Sequence, residues 1–294
     1  MHPGSSFFKN YFKNKKILIT GNTGFKGSWL SFLLKEMGAK VCGLSIDVPT
    51  NPSNYKCLNL NKDMKTFFGD VANYNFFEKV IYQTKPDIIF HLAAQSIVSK
   101  SYNYPKYTVN SNSIGVLNLL EILRISKKYI HVVIITSDKC YLPQHKSFFS
   151  ENDILGGEDL YSASKAAAEI YFNAYCQSFF KYKKNIKICS ARAGNVIGGG
   201  DWSKNRIVPD ILRIVQKNKP LILRNPHANR PWQHVIEPVF AYLLLAKNIE
   251  NKNVNLNSFN IGPSTTKNIS VKKIAELLFN KLNYKNKIII RKNF

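Results

Sequence analysis

At the centre of the chain three reactive side chains stand in a row: Ser137, Asp138 and Lys139, inside Thr136-Ser137-Asp138-Lys139-Cys140-Tyr141. A hydroxyl, a carboxylate and an amine are the groups that acid–base catalysis uses. Twenty residues on, Tyr161-Ser162-Ala163-Ser164-Lys165 sets a phenol and an ammonium four positions apart, which puts both on one face of a helix. The two segments are expected to form one active site. A surface turn with a solvated ion pair is the plain alternative for Asp138-Lys139, and the residues around the pair argue against it. His131 to Ile135 is an unbroken apolar run, as a strand buried on both faces produces. In open parallel sheets ligands bind beyond the carboxyl ends of such strands.

The elements that position these groups begin near the N-terminus. Residues 1–14 read as a polar and aromatic arm. Lys16 to Thr20 is a short buried strand, and Gly21-Asn22-Thr23-Gly24-Phe25-Lys26-Gly27 opens a helix that stops at Gly38. Val41 to Ile46 is a second strand, ending at Asp47. Strand, Gly-rich turn, helix, strand and acid make the dinucleotide-binding arrangement. Gly21, Thr23, Gly24, Phe25, Lys26 and Gly27 are the expected cradle, with the pyrophosphate at the helix N-terminus. Asp47 is placed for ribose hydroxyls, favouring NAD over NADP. Asp70 and Val71 follow a third strand, Asp70 facing the adenine amine. Leu92, Ala93 and Ala94 end a fourth, their small side chains leaving room for the cofactor. His91 lies inside that apolar run and reads as a core histidine. A long helix over about 105–126 carries Asn112, and the Tyr161 helix reaches about Phe180. Another strand spans Ile186 to Ala191.

After Arg192 the texture changes to loops. Asn195 stands in a Gly-rich stretch ending at Trp202. Arg206, Arg224 and Arg230 are candidates for substrate phosphates, because a guanidinium fork matches phosphate oxygens. Helices are expected over Val208 to Lys217, Glu237 to Asn248 and Val271 to Leu282. The fold class is α/β: residues 15–191 a Rossmann-type doubly wound parallel sheet, residues 192–294 a smaller substrate-binding lobe.

Bulk composition narrows the partners. The 294 residues carry 42 Lys and Arg against 18 Asp and Glu, a net charge of +24. Such a balance suits nucleic acid, an acidic membrane surface or an anionic small substrate. It also arises by drift, and here the lysines are scattered among Asn and Ile. No zinc-finger, RNP or helix-turn-helix pattern supports nucleic acid. There is no apolar leader and no apolar run of membrane-spanning length, so no membrane partner is expected. The five cysteines show no metal-ligand spacing and sit mostly in apolar surroundings, which favours a metal-free protein of the cytoplasm.

Taken together, the strings Gly21 to Leu30, Thr136 to Tyr141, Glu151-Asn152-Asp153, Tyr161 to Lys165, Ala191 to Trp202 and Arg224 to His234 resemble the extended short-chain dehydrogenase/reductases that act on nucleotide sugars. Within them the chain is most similar to the CDP-glucose 4,6-dehydratases. The resemblance covers about residues 15 to 290. It implies a lyase that uses bound NAD to convert CDP-glucose to its 4-keto-6-deoxy form. Tyr161 would take the C4 hydroxyl proton, with Lys165 and the nicotinamide charge lowering its pKa and Ser137 bonding the same hydroxyl. Lys139 would take the C5 proton, and Asp138 would protonate the departing C6 hydroxyl. Asn112 would help order the lysine and a water. Asn195 would touch the diphosphate or sugar, and Arg206 and Arg230 the phosphates. Relatives with a glutamate at position 139 act on dTDP-glucose or GDP-mannose, so the Asp-Lys pair points to the CDP-sugar branch. The resemblance further implies a homodimer or homotetramer, and deoxysugar supply for surface polysaccharide such as lipopolysaccharide O-antigen. Two departures stand out. The chain ends at Phe294, tens of residues short of the family pattern, so the lobe is expected to be incomplete. Leu142 to Lys146 also replaces an acidic turn. Other readings are a different NAD-dependent nucleotide-sugar dehydratase or epimerase, or a non-catalytic NAD-binding protein.

Overall fold

The computed structural model describes residues 3–144, 148–263 and 269–290. His145 and Lys146, in the departing turn, lie outside them. Seven strands form the central sheet: β1 (Lys16–Thr20), β2 (Lys40–Ser45), β3 (Lys65–Phe68), β4 (Ile88–His91), β5 (Ile130–Ile135), β6 (Ile186–Ala193) and β7 (Ser258–Ile261). Their order is β7-β6-β5-β4-β1-β2-β3, with every neighbouring pair parallel. The strand order reverses between β1 and β4, and a crevice for a ligand opens there at the carboxyl ends.

Period-two alternation divides the core. Ile17, Ile19, Ile88, Phe90, Val133 and Ile135 face one side, while Leu18, Ile89, Val132 and Ile134 face the other. Eight helices matter here: α1 (Pro3–Phe12), α2 (Phe25–Glu36), α3 (Tyr74–Thr84), α4 (Gly115–Ile125), α5 (Leu160–Ser178), α6 (Ile207–Gln216), α7 (Ile236–Asn248) and α8 (Val271–Lys281). The first layer is covered by α1, α2 and α7, the second by α3, α4 and α5. β5 is buried at all six positions because both layers cover it.

Two expectations need correction. The N-terminal arm is a helix built into the fold: Phe8 and Phe12, one turn apart, sink into the first layer, and the Tyr11 hydroxyl donates to the Ala246 carbonyl at 2.9 Å. The division at 191/192 also fails as a clean boundary. β7 returns to the sheet beside β6, and Val239, Tyr242 and Leu243 of α7 complete the first layer. What stands apart is a small cluster in which α6 and α8 flank the strand pair Leu221–Leu223 and Ile288–Ile290. The expected helix over 105–126 contains one π-helical turn, Asn110–Ile114, between Pro105–Val109 and α4. Such wide turns recur at functional sites.

Candidate active site

The turn between β1 and α2 is a cradle in which side chains are excluded. Gly21 has φ +73°, and a Cβ there would lie 2.8 Å from the backbone of Leu92 and Ala93. A Cβ on Gly27 would come 2.1 Å from the Gly21 carbonyl oxygen. Gly24 is the N-cap of α2 and gives no side-chain cap, so the first N–H groups of the helix face the crevice unpaired by a side chain. Thr23 is spent on the scaffold, its hydroxyl donating to the Asp47 carbonyl at 2.6 Å. The Asp47 carboxylate is thereby left exposed at the rim. The Asp70 carboxylate accepts from Ala72 N–H at 2.9 Å, and Val71 is buried against Gly115. Leu92 and Ala93 are tied to Thr20, by the Thr20 carbonyl and hydroxyl respectively. Ala94 follows them. This strand end, glycine cradle and free helix terminus fit a dinucleotide, with Asp47 and Asp70 at its far end. The half-buried Tyr107 phenol faces both of those acids; nothing in the local pattern singles it out.

At the end of β5 the chain turns into a single 3-10 turn, Asp138–Cys140. Ser137 caps it: its hydroxyl accepts from Lys139 N–H at 3.2 Å and donates to Asp138 Oδ1 at 3.0 Å. Asp138 is desolvated, which pushes its carboxyl up; Lys139, the Ser137 hydrogen bond, Arg230 and Lys26 pull the other way. α5 begins one residue before Tyr161, with Asp159 as N-cap accepting from Ser162 N–H at 2.9 Å. Tyr161 and Lys165 are therefore aimed from the first two turns of a rigid helix. Both are buried, at 8% and 4% exposure. Burial pushes the Tyr161 phenol up; a hydrogen bond with Ser137 and the charge of Arg206 oppose this, while Asp138 and Asp159 add to it. The same desolvation lowers Lys165 to about 8, against Glu169 and Cys140. The structure thus brings Ser137, Asp138, Lys139, Tyr161 and Lys165 to one place.

Asn112 is also in place but spent. Its amide donates to Gln95 O and Ser164 Oγ and accepts from Gln95 N–H, at 3.1, 2.9 and 2.8 Å. It fixes the loop after β4 to the residue preceding Lys165, with one acceptor position of Oδ1 left over.

Beneath the catalytic turn lies a buried network. Glu169, one turn after Lys165, meets Arg192 at 2.7 Å. Its carboxylate also accepts from Thr136, Ser190 and Ser258. Arg192 donates to the Tyr141 hydroxyl at 2.8 Å and the Glu151 carbonyl at 3.0 Å. β5, β6, β7 and α5 are thus pinned together under Asp138. A glutamate at helical spacing from Lys165, and an arginine inside an apolar strand, were the available signals.

On the other wall, Arg206 reaches Ser96 Oγ at 3.3 Å and Asp201 at 3.7 Å. Arg230 lies near Asp138 and donates to the Asn229 carbonyl at 2.9 Å. The Asn195 carbonyl accepts from Gln233 N–H at 3.1 Å, joining the loop to the strand beyond Arg230. Arg224 is directed elsewhere, toward Asn205 at 3.5 Å. Lys26 is nearer the chemistry than the cradle suggested. Its ammonium faces Arg206, Lys165 and Asp138, touches the Tyr242 hydroxyl at 3.4 Å, and is lowered to about 7, chiefly by burial. Lys26, Lys139 and Arg230 around Asp138, with Arg206 and Lys165 facing Lys26, make a cleft suited to a polyanionic ligand.

Known proteins align with this arrangement. The family profile of GDP-mannose 4,6 dehydratase matches residues 18–292. A CDP-glucose 4,6-dehydratase of Salmonella typhimurium is 43% identical over 261 residues, covering 87% of this chain and 73% of that protein. A UDP-glucose 4-epimerase of Mycoplasma genitalium is 26% identical over 283 residues, covering 90% and 81%. Among solved structures, an epimerase of Methanothermobacter thermautotrophicus superposes with TM-score 0.86 at 22% identity, covering 100% of this chain and 85% of that one. A dTDP-glucose 4,6-dehydratase of Streptomyces venezuelae, with NAD and DAU bound, gives 0.79 at 18% identity, covering 94% and 84%.

Proposed function

The chain belongs to the GDP-mannose 4,6 dehydratase family, and from that premise we propose that it is an NAD-dependent CDP-glucose 4,6-dehydratase. The observation that carries this reading is the Ser137-Asp138-Lys139 turn, which sets an acid and an amine beside Tyr161 and Lys165. An epimerase needs the tyrosine alone; eliminating water needs a second acid–base pair. The 43% identity to a CDP-glucose 4,6-dehydratase supports the CDP-sugar.

Gly21, Gly24, Gly27 and the α2 terminus would hold NAD. Bound there, it supplies an acceptor for the hydride of sugar C4 and a donor of that hydride to C6. The protein moves the protons. Tyr161 takes the C4 hydroxyl proton, and the resulting ketone acidifies C5–H. Lys139 takes that proton while Asp138, whose carboxyl burial favours in its protonated form, gives one to the C6 oxygen as it departs as water. Arg206 and Arg230 hold the diphosphate, with Asn195 on the sugar side.

Copies of the chain pair through α4 and α5, supported by Ile125, Ile170 and Phe179, which stay 50%, 50% and 39% exposed. Five free cysteines, three of them buried, suit a reducing cytoplasm. Among the described residues no helix is long and apolar enough to cross a membrane.

Incubation with CDP-glucose and NAD, followed by the alkaline ultraviolet assay for 4-keto-6-deoxy sugars, tests the substrate. Product is expected from CDP-glucose. Product from dTDP-glucose or GDP-mannose alone would overturn the CDP assignment.

A further inference from the structure

Resting on the dehydratase reading, we propose that Gly194 is a positioning residue for elimination: the side chain it lacks is the room in which the Asp138 carboxylate stands. Position 194 thereby governs the second half of the reaction and leaves the first alone. Gly194 follows Ala193, the last residue of β6, and its φ lies outside the left-handed region, so the backbone there suits any residue. Space is what excludes a side chain. A Cβ on Gly194 would lie 3.3 Å from Asp138 Oδ2, tighter than ordinary van der Waals contact, and 2.8 Å from Pro231 Cγ, a collision. Gly199, in the same Gly-rich stretch, would place its Cβ against nothing within 4 Å. Of these two glycines, only Gly194 is required by what it faces.

Both neighbours of the missing Cβ are anchored. Asp138 sits in its 3-10 turn with Oδ1 accepting from the Ser137 hydroxyl at 3.0 Å, and its Oδ2 has no hydrogen-bond partner among the described residues. Oδ2 is thus the oxygen free to carry a proton to the C6 oxygen, and it is the one that Gly194 faces. Pro231 is pinned by the residues beside it. Arg230 pairs with Ile269, Trp232 Nε1 donates to the Ile269 carbonyl at 2.7 Å, and Gln233 N–H donates to the Asn195 carbonyl at 3.1 Å. Gly194 N–H is itself held by the Ile261 carbonyl of β7 at 3.4 Å. A methyl group at 194 therefore meets a fixed ring and a carboxylate whose terminal torsion is soft, and the carboxylate is what turns. The nearest atoms to that methyl belong to Pro231 and Asp138, none to Tyr161 or Lys165. Oxidation at C4 should be spared and loss of the C6 oxygen impaired.

The experiment is rapid mixing of NAD-loaded protein with CDP-glucose, following reduced nicotinamide and 4-keto-6-deoxy product over one turnover. Gly194→Ala is expected to form reduced nicotinamide at the wild-type rate and product about 100-fold more slowly, the scale of misplacing a catalytic group by about 1 Å. Reduced nicotinamide then accumulates. Gly199→Ala should match wild type in both phases. A general structural defect would slow both phases together; that result, or product at the wild-type rate, would overturn the proposal. CDP-glucose with fluorine in place of the C6 hydroxyl adds a readout that only the acid moves. Once Lys139 has taken the C5 proton, the C6–F bond breaks and fluoride leaves with the electron pair, with no proton required. Gly194→Ala should process this substrate at the wild-type rate, and persistent slowness would place the defect elsewhere and overturn the proposal. Where the single variant fails to fold, Gly194→Ala with Pro231→Ala gives the methyl room on the loop side and keeps it against Asp138. The same split between phases is expected, and elimination at the wild-type rate would assign the obstruction to the loop and overturn the role of Gly194. Wild type making no 4-keto sugar from any nucleotide sugar would overturn the dehydratase reading and the proposal with it.

Discussion

Glu169 and Arg192 meet at 2.7 Å with side chains 0% and 1% exposed, Glu169 tied further to Thr136, Ser190 and Ser258, and Arg192 to Tyr141 and the Glu151 carbonyl. Across the cleft, the Arg206 side chain is 31% exposed, and its ionic partner Asp201 lies 3.7 Å away. One wall is a closed polar network under the catalytic turn; the other is a set of cations with few protein partners. Chemistry that needs fixed geometry is held on strand ends and a helix whose side chains are locked from below. Recognition of an anion is left to guanidinium groups that gain their bonds when the ligand arrives.

Substitutions on the two walls should therefore behave differently. The largest expected effect is on the buried side. Arg192→Ala strands the Glu169 carboxylate, and breaking such a pair costs about 3–5 kcal/mol, read from urea unfolding. Next is a pH effect at the same floor. His91 is buried, bonded to Thr20 at 2.9 Å through Nδ1 and stacked on Phe77, with no partner at Nε2. Desolvation lowers it from 6.5 to about 3. A histidine kept neutral in the fold stabilises above its unfolded pKa, and that contribution is lost as pH falls from 6.5 towards 3. Stability should drop by about 2 kcal/mol over the first two pH units, the slope starting at half of roughly 1.4 kcal/mol per unit and approaching the full value, and His91→Asn should flatten it. The smallest stability effect belongs to the open wall: Arg206→Ala should change unfolding by less than ~0.5 kcal/mol while raising KM for the nucleotide sugar about tenfold. Equal destabilisation by Arg192→Ala and Arg206→Ala would erase the contrast between the walls.

Legibility from sequence followed the range of the forces involved. β1, β4 and β5 were readable because burial on both faces demands continuous apolar runs. Ser137 to Lys139 and Tyr161 to Lys165 were readable because strand end and helix period act locally. β7 was missed: Ser258-Phe259-Asn260-Ile261 is half-buried throughout and lacks a continuous apolar signature. α1 reads as an arm in the sequence because its apolar partners, Leu30, Leu34 and Val239, lie far along the chain. Arg192 and Glu169 meet across 23 residues, a pairing no local pattern announces. Lys26 stands in the glycine turn, and its ammonium also faces Arg206, Lys165 and Asp138, a proximity that no local pattern announces.

The central claim, that this cleft eliminates water after oxidising C4, is tested most directly by following one hydrogen. CDP-glucose deuterated at C4 is incubated with the protein and NAD, and the product is examined by NMR. The deuterium should be found in the new C6 methyl group of a 4-keto sugar. A sugar that keeps its C6 hydroxyl, with deuterium still on an inverted C4, would contradict the account and identify an epimerase.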